Sequence, residues 1–195
     1  MARERATDTQ ALVSAAAKTF REKGYRSSTI DDIALAAGIS RPTVYKYTRT
    51  KQHLLDLMVD EMTMNLEQEL HSVQSSADDP VERLRKTIMA HIQASSANRT
   101  FYAIVFSEET ELSEAARKTF RSWARKQTKD FGSLLDECLA ARPKRQGSPK
   151  VDTRIAANLL ESMLATLYRW YDPEGSTSPE HLAEQIWVLV GSVFE

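Results

Sequence analysis

Residues 29–48 read TIDDIALAAGISRPTVYKYT, and this stretch decides the fold. Thr29 stands at a helix N-cap position, and Asp32 three residues on echoes a capping box, in which each residue satisfies an amide near the other. Ile33, Ala34 and Ala37 follow at helical spacing. Gly38 stops the helix, because glycine adopts positive φ without a Cβ clash. Ser40 then caps a second short helix, with Pro42 in its first turn, where no amide donor is missed. That helix is expected to end near Thr48. Two short helices therefore meet at Gly38-Ile39-Ser40, the arrangement of a helix-turn-helix. Ala34 and Ala37 are small where the helices approach, and Ile33, Ile39 and Val44 supply the inner packing. The opposite face carries Arg41, Thr43, Lys46 and Tyr47, which can donate to phosphates and base edges in a major groove. Helix N-termini at Thr29 and Lys51 point amide groups toward phosphates.

On the amino-terminal side, Leu12, Ala15, Ala16 and Phe20 share one face of a helix expected over 8–23, ended by Gly24. On the other side, Thr50 caps a long helix through Leu54, Leu55, Met58, Met62 and Leu66. Charge divides at the same place. Residues 1–51 hold ten Lys/Arg and five Asp/Glu, a net of +5, so the remainder carries −6 of the overall −1. A small basic module over 1–51 thus precedes a larger acidic one over 52–195. Basic modules attract polyanions, and the attraction weakens with salt.

The remaining pattern is helical. No glycine lies between Gly38 and Gly132, and no stretch alternates apolar and polar residues as a strand does. Pro80 opens a helix with Leu84, Ile88, His91 and Ile92. The run at 101–106 reads as a short buried helix and 113–141 as a long one. Residues 142–150 (RPKRQGSPK) form a basic loop. Helices at 152–171 and 178–194 close the chain. The expected fold is all-α, with about nine helices: an N-terminal three-helix helix-turn-helix domain and a larger C-terminal helical domain.

Much chemistry is excluded. The six glycines lie at least 14 residues apart, so phosphate loops, dinucleotide fingerprints and nucleophile elbows are absent. There is no HExxH and no cysteine cluster; Cys138 stands alone. Glu108, Glu109 and Glu111 crowd one segment and His91 sits on an apolar helix, but no nucleophile, base and orienting group are legible together. No enzyme activity, metal or cofactor is expected. No stretch is apolar enough to span a membrane or serve as a secretory leader, so a cytoplasmic protein is expected.

The order and offsets of Ala15-Ala16, Phe20, Gly24-Tyr25, Thr29, Asp32-Ile33-Ala34, Ala37-Gly38-Ile39-Ser40, Thr43, Tyr45, Lys51 and Leu54-Leu55 resemble the TetR family of transcriptional regulators. The resemblance implies a homodimer with two DNA-reading units and a ligand cavity in the C-terminal helices. It implies DNA contacts at Thr29, Ser40, Arg41, Pro42, Thr43, Tyr45, Lys46, Tyr47 and Lys51. Tyr45 and Lys51 would anchor phosphates on double-stranded DNA, and Arg41, Thr43 and Lys46 would read bases. The family commonly has an aromatic residue where this chain has Thr48, so a looser join to the fourth helix is expected.

In the last two helices, Ile155, Leu159, Met163 and Leu167 form one stripe, and Ala156, Leu160, Leu164 and Tyr168 the next. Leu182, Ala183, Ile186, Trp187, Leu189, Val190 and Val193 cover much of the final helix. These faces are wider than one core needs. They point to a homodimer interface over 155–171 and 182–194. The run Tyr168-Arg169-Trp170-Tyr171-Asp172-Pro173-Glu174-Gly175 resembles TetR-type repressors of fatty-acid or steroid breakdown that respond to acyl-CoA thioesters. Met62, Met89, Phe101, Tyr102, Phe106 and Trp123 are candidate walls of an apolar pocket, with Arg169 and Trp170 at its mouth. The function expected is a ligand-responsive repressor of a palindromic operator, released by a small apolar or acyl-CoA-type effector. The alternative is a helical protein-interaction module without specific DNA binding.

Overall fold

A computed structural model describes residues 2–74, 79–142 and 150–191, with side chains from residue 9 onward. Among the described residues there are nine α-helices and no strand. They are α1 (Ala2–Lys23), α2 (Ile30–Ala37), α3 (Arg41–Val44), α4 (Lys51–Gln74), α5 (Pro80–Ala97), α6 (Arg99–Ser107), α7 (Glu114–Ala140), α8 (Thr153–Ala165) and α9 (Pro179–Val190). Short 3-10 turns at Glu109–Glu111 and Leu167–Arg169 complete the set. Most of the basic 142–150 loop, Val193 and the end of the last helix lie outside the described residues.

The chain forms two compact units that alternate along the sequence: Met1–Thr63 with Asn98–Phe120, and Met64–Ala97 with Arg121–Glu195. The boundary expected at residue 51 falls inside the first unit. Both α4 and α7 run from one unit into the other, so no loop marks the division.

In the first unit the expected caps are in place. Gly24 and Gly38 take φ of 81° and 66°, the only positive values among the described residues. Leu12, Ala16, Phe20, Ile33, Val44, Leu54, Leu55 and Met58 are buried, so α1 to α4 share one core. The Thr50 hydroxyl caps α4 by accepting from His53 N at 3.1 Å.

Two boundaries differ from expectation. α3 ends at Val44 rather than near Thr48, because the chain tightens into turns in which Lys46 N and Tyr47 N donate to carbonyls only three residues back. The helix over 152–171 stops at Ala165. There a 3-10 turn rotates Leu167 and Tyr171 into one core, where they are 0% and 4% exposed. Of the stripe Ile155, Leu159, Met163 and Leu167, only Leu167 is fully buried.

In the second unit α5 is the central helix, packed by α8, the 167–169 turn and α9. Leu84, Ile88, Ile92, Leu135, Leu160, Leu164 and Ile186 form its core. Cys138 lies in the same core, and burial pushes its thiol up to about 11. It therefore packs as a small apolar group and is a poor nucleophile.

Candidate functional site

The helix-turn-helix is built from short-range chemistry. Thr29 N donates to Asp32 Oδ2 at 2.9 Å, and Asp32 N donates to Thr29 Oγ1 at 3.1 Å. The Thr29 hydroxyl donates to the same carboxylate at 2.7 Å, and Lys23 pairs with it at 2.5 Å. The Lys23 ammonium and then the Thr29 donors hold the Asp32 carboxyl down to about 2. Across the turn, Ile39 N donates to Ala34 O and Gly38 N to Leu35 O, which closes α2. Ser40 accepts from Thr43 N at 3.3 Å, and the two hydroxyls lie 2.8 Å apart.

The face presented by α3 is charged and exposed. Arg41 donates to Asp31 at 3.0 Å and to the Tyr45 hydroxyl at 3.2 Å, and its guanidinium lies 5.6 Å from the Tyr45 ring centre. These contacts orient the guanidinium, and because they are solvated they exchange at little cost for a phosphate or a base. Pro42, Tyr45 and Lys46 are exposed; Thr43 and Tyr47 are half-buried. Lys51 is placed differently. Its ammonium donates to the carbonyls of Tyr25 at 2.6 Å and Arg26 at 3.1 Å and sits 4.8 Å from the Tyr25 ring centre. It ties the start of α4 to the turn after α1, a link that spacing alone did not reveal. The looser join expected at Thr48 is not observed. Thr48 is 3% exposed, and its hydroxyl donates to Thr50 O at 2.9 Å.

The proposed pocket residues are dispersed. Met62 is fully buried in the first unit. Tyr102 and Phe106 stack at 6.2 Å there, and Phe106 meets Phe120 edge-on at 5.9 Å, with Phe101 half-buried beside them in sequence. In the second unit, Trp123 packs on Leu66, Leu70, Val73, Ala90 and Ala94. Met89 lines shallow clefts on α5, and Arg169 and Trp170 point outward, Trp170 being 61% exposed.

The second unit holds a cleft of about 180 Å³ between α4, α5 and α7 that sequence reading did not find. Leu70, Val73, Phe131 and Leu134 are its apolar walls, and Arg83, Thr87, His91 and Gln127 its polar ones. None of the eight expected pocket residues lines it. His91 is buried edge-on against Phe131 at 5.8 Å, with its Nε2 3.8 Å from Glu161 Oε1. That spacing is too long for a hydrogen bond, and Glu161 Oε1 is buried without one. Burial pulls His91 down to about 4 and pushes Glu161 up to about 7, so the imidazole is neutral at physiological pH. The one legible signal was Glu161 itself, a charge set between Leu160 and Leu164. Among the described residues no group of His, Cys, Asp or Glu side chains is placed to hold a metal ion.

Comparison with known proteins agrees with this architecture. Residues 12–58 match the family model for bacterial regulatory proteins of the tetR family. Residues 77–193 match the tetracyclin repressor-like C-terminal domain. The transcriptional repressor KstR2 of Rhodococcus jostii is 28% identical over 181 residues, covering 92% of this chain and 87% of that protein. Among solved structures, the ketosteroid transcriptional regulator KstR2 of Mycobacterium tuberculosis superposes with a TM-score of 0.83 at 23% identity, covering 96% of this chain and 95% of that one. AibR in complex with isovaleryl coenzyme A and operator DNA gives 0.76 at 23% identity, covering 96% and 98%. Both have the same fold. With family models matching both the reading head and more than half of the chain beyond it, the protein belongs to the TetR family of transcriptional regulators.

Proposed function

We propose that the protein is a repressor that binds a palindromic operator as a homodimer and lets go when a small apolar or acyl-CoA-type effector binds. The observation that carries this reading is the outward face of α3, where Arg41, Tyr45 and Lys46 stand exposed on a turn fixed by capped helices and Gly38. Arg41, Thr43 and Lys46 read base edges. Tyr45 and Lys51 take phosphates, and Thr29, Ser40, Pro42 and Tyr47 complete the contact surface. Lys51 reaches a phosphate by leaving the two carbonyls that now hold it.

Dimerisation runs through α8 and α9. Ile155, Leu159, Val188 and Leu189 are 58%, 67%, 66% and 75% exposed, an unusual cost for large apolar side chains in a monomer. A two-fold dimer places its reading helices in major grooves about one helical turn apart, hence the palindrome. The effector class rests on the 168–175 run, on outward-facing Arg169 and Trp170, and on similarity to a repressor solved with isovaleryl coenzyme A. Effector and operator must weaken each other equally.

Selection of genomic fragments by the purified protein at physiological salt tests the reading. The expected result is one enriched palindrome, lost with Arg41→Ala/Lys46→Ala. Retention of fragments only at low salt, without a common sequence, overturns it.

A further inference from the structure

The first turn of α2 carries two adjacent aspartates that are used differently. Asp32 closes the capping box with Thr29 and pairs with Lys23. Asp31 takes no part in the cap. Its carboxylate reaches across the turn to α3 and accepts from Arg41 Nη1 at 3.0 Å, its one hydrogen bond among the described residues. Both side chains are more than half exposed, so the pair adds little to stability. The helix dipole favours an acid in the first turn of α2, but it does not require a contact with Arg41. A carboxylate there also stands on the basic face proposed to meet DNA, where it repels phosphates.

What the pair changes is the choice of partner for Arg41. A guanidinium has five N–H groups. Asp31 takes one and the Tyr45 hydroxyl another at 3.2 Å, so enough remain for a bidentate pair. Two acceptors on DNA compete for them. A phosphate brought to Arg41 is also brought beside the Asp31 carboxylate, and like charges repel. The O6 and N7 of guanine accept from arginine without a net charge. The pair therefore weakens the hold of Arg41 on phosphates more than its hold on a guanine edge.

We propose that Asp31 is a positioning residue for DNA reading: its carboxylate keeps the Arg41 guanidinium off the phosphates and presents it to a guanine. The proposal rests on the reading of this protein as an operator-binding repressor, and it supplies the means by which Arg41 selects a base over the backbone. Asp31 lowers total affinity for DNA and raises the preference for the operator.

The test compares the full native chain with Asp31→Ala, which removes the charge and the acceptor and leaves a residue that helices favour. Affinities are measured at one salt concentration for the selected operator, for the operator with each base pair changed in turn, and for unrelated DNA of equal length. The variant is expected to bind unrelated DNA more tightly. Its operator-to-unrelated ratio should fall by about fivefold or more, with the loss of discrimination centred on one G·C pair that Arg41→Ala also affects. In an Arg41→Ala background, Asp31→Ala should leave discrimination at that pair unchanged. A uniform rise in affinity for every DNA, with the ratio kept, would make Asp31 a repelling charge and nothing more. Equal weakening on every DNA with a lower melting temperature would mark a merely structural role. A change at another base pair, or one that persists without Arg41, would make Asp31 a reader in its own right. Each of these three results overturns the proposal. A native chain with no operator preference overturns the repressor reading and this proposal together, whereas a preference that Asp31→Ala leaves intact overturns this proposal alone.

Discussion

The two units treat polar side chains in opposite ways. In the helix-turn-helix, Thr29, Asp32 and Lys23 saturate one another at the surface, Arg41 spans Asp31 and Tyr45, and Lys51 holds two carbonyls. In the second unit, Glu161 Oε1 and Arg83 Nε are buried without hydrogen bonds. The contrast follows from the ligands proposed for each. A DNA backbone offers the same phosphate at every step, so a reading surface gains by being rigid and solvated before contact. A small effector must be distinguished from water and from its analogues. An apolar cleft with few polar groups in its wall provides that distinction, because an analogue that leaves such a group unpaired bears its desolvation penalty.

The largest effect should come from breaking the first side of this contrast. Arg41→Ala/Lys46→Ala should weaken operator binding by about 10²- to 10⁴-fold, at roughly 1–3 kcal/mol per lost contact. The preference for the operator over unrelated DNA should relax, and the circular dichroism and melting temperature should be unchanged. Retained affinity would detach the α3 face from DNA reading.

Next is Glu161→Gln, which removes a buried ionisable group. Glu161 ionises at about 7 in the folded chain against 4.5 unfolded, so its protonated form is fully favourable below pH 4.5, and stability is lost as pH rises through 7. His91 has the opposite sign, about 4 folded against 6.5 unfolded, so stability is gained from pH 4 to 6.5. The two slopes oppose each other in the native chain. In Glu161→Gln only the histidine slope remains. Urea unfolding at fixed protomer concentration should show the variant gaining on the native chain between pH 4.5 and 7. The gain should reach on the order of 3 kcal/mol above pH 7, at about 1.4 kcal/mol per pH unit. A gain that does not vary with pH would show that Glu161 is not held neutral.

Smaller effects sharpen the comparison from the backbone side. A Cβ at Gly38 meets nothing within 4 Å, so Gly38→Ala tests the φ of 66° alone. It should cost about 1–2 kcal/mol, read as a lower melting temperature with operator contacts kept. Thr29→Ala removes one half of the capping box and should cost about 1 kcal/mol. A null result in both would mean that α2 is held by its packing through Ile33 and not by its ends.

Most of the reading head was legible because its determinants are local. Thr29 to Asp32, Gly38 and Ser40 to Thr43 interact over three or four residues, and a linear pattern records such distances. The Lys51 link to Tyr25 and Arg26 spans some 25 residues and left no trace in spacing. The same limit explains the pocket. Phe101, Tyr102, Phe106 and Met62 looked like cavity walls because they are large and apolar, but size and apolarity equally describe core residues, and in the first unit Met62 and Tyr102 are core while Phe106 packs on Tyr102 and Phe120.

The sequence by itself determined where the helices of the reading head are capped and where α1 and α2 stop, that they make a helix-turn-helix, and that its outer face is basic. These follow from backbone preferences and charge, which each residue carries wherever it lies. The tertiary structure decided which polar residues are buried together. Gln127, Arg83, His91 and Glu161 come from three helices, and whether each meets a partner depends on how those helices pack. Desolvation and hydrogen bonding act across space, so the cleft and the buried polar groups around it exist only once the second unit has folded.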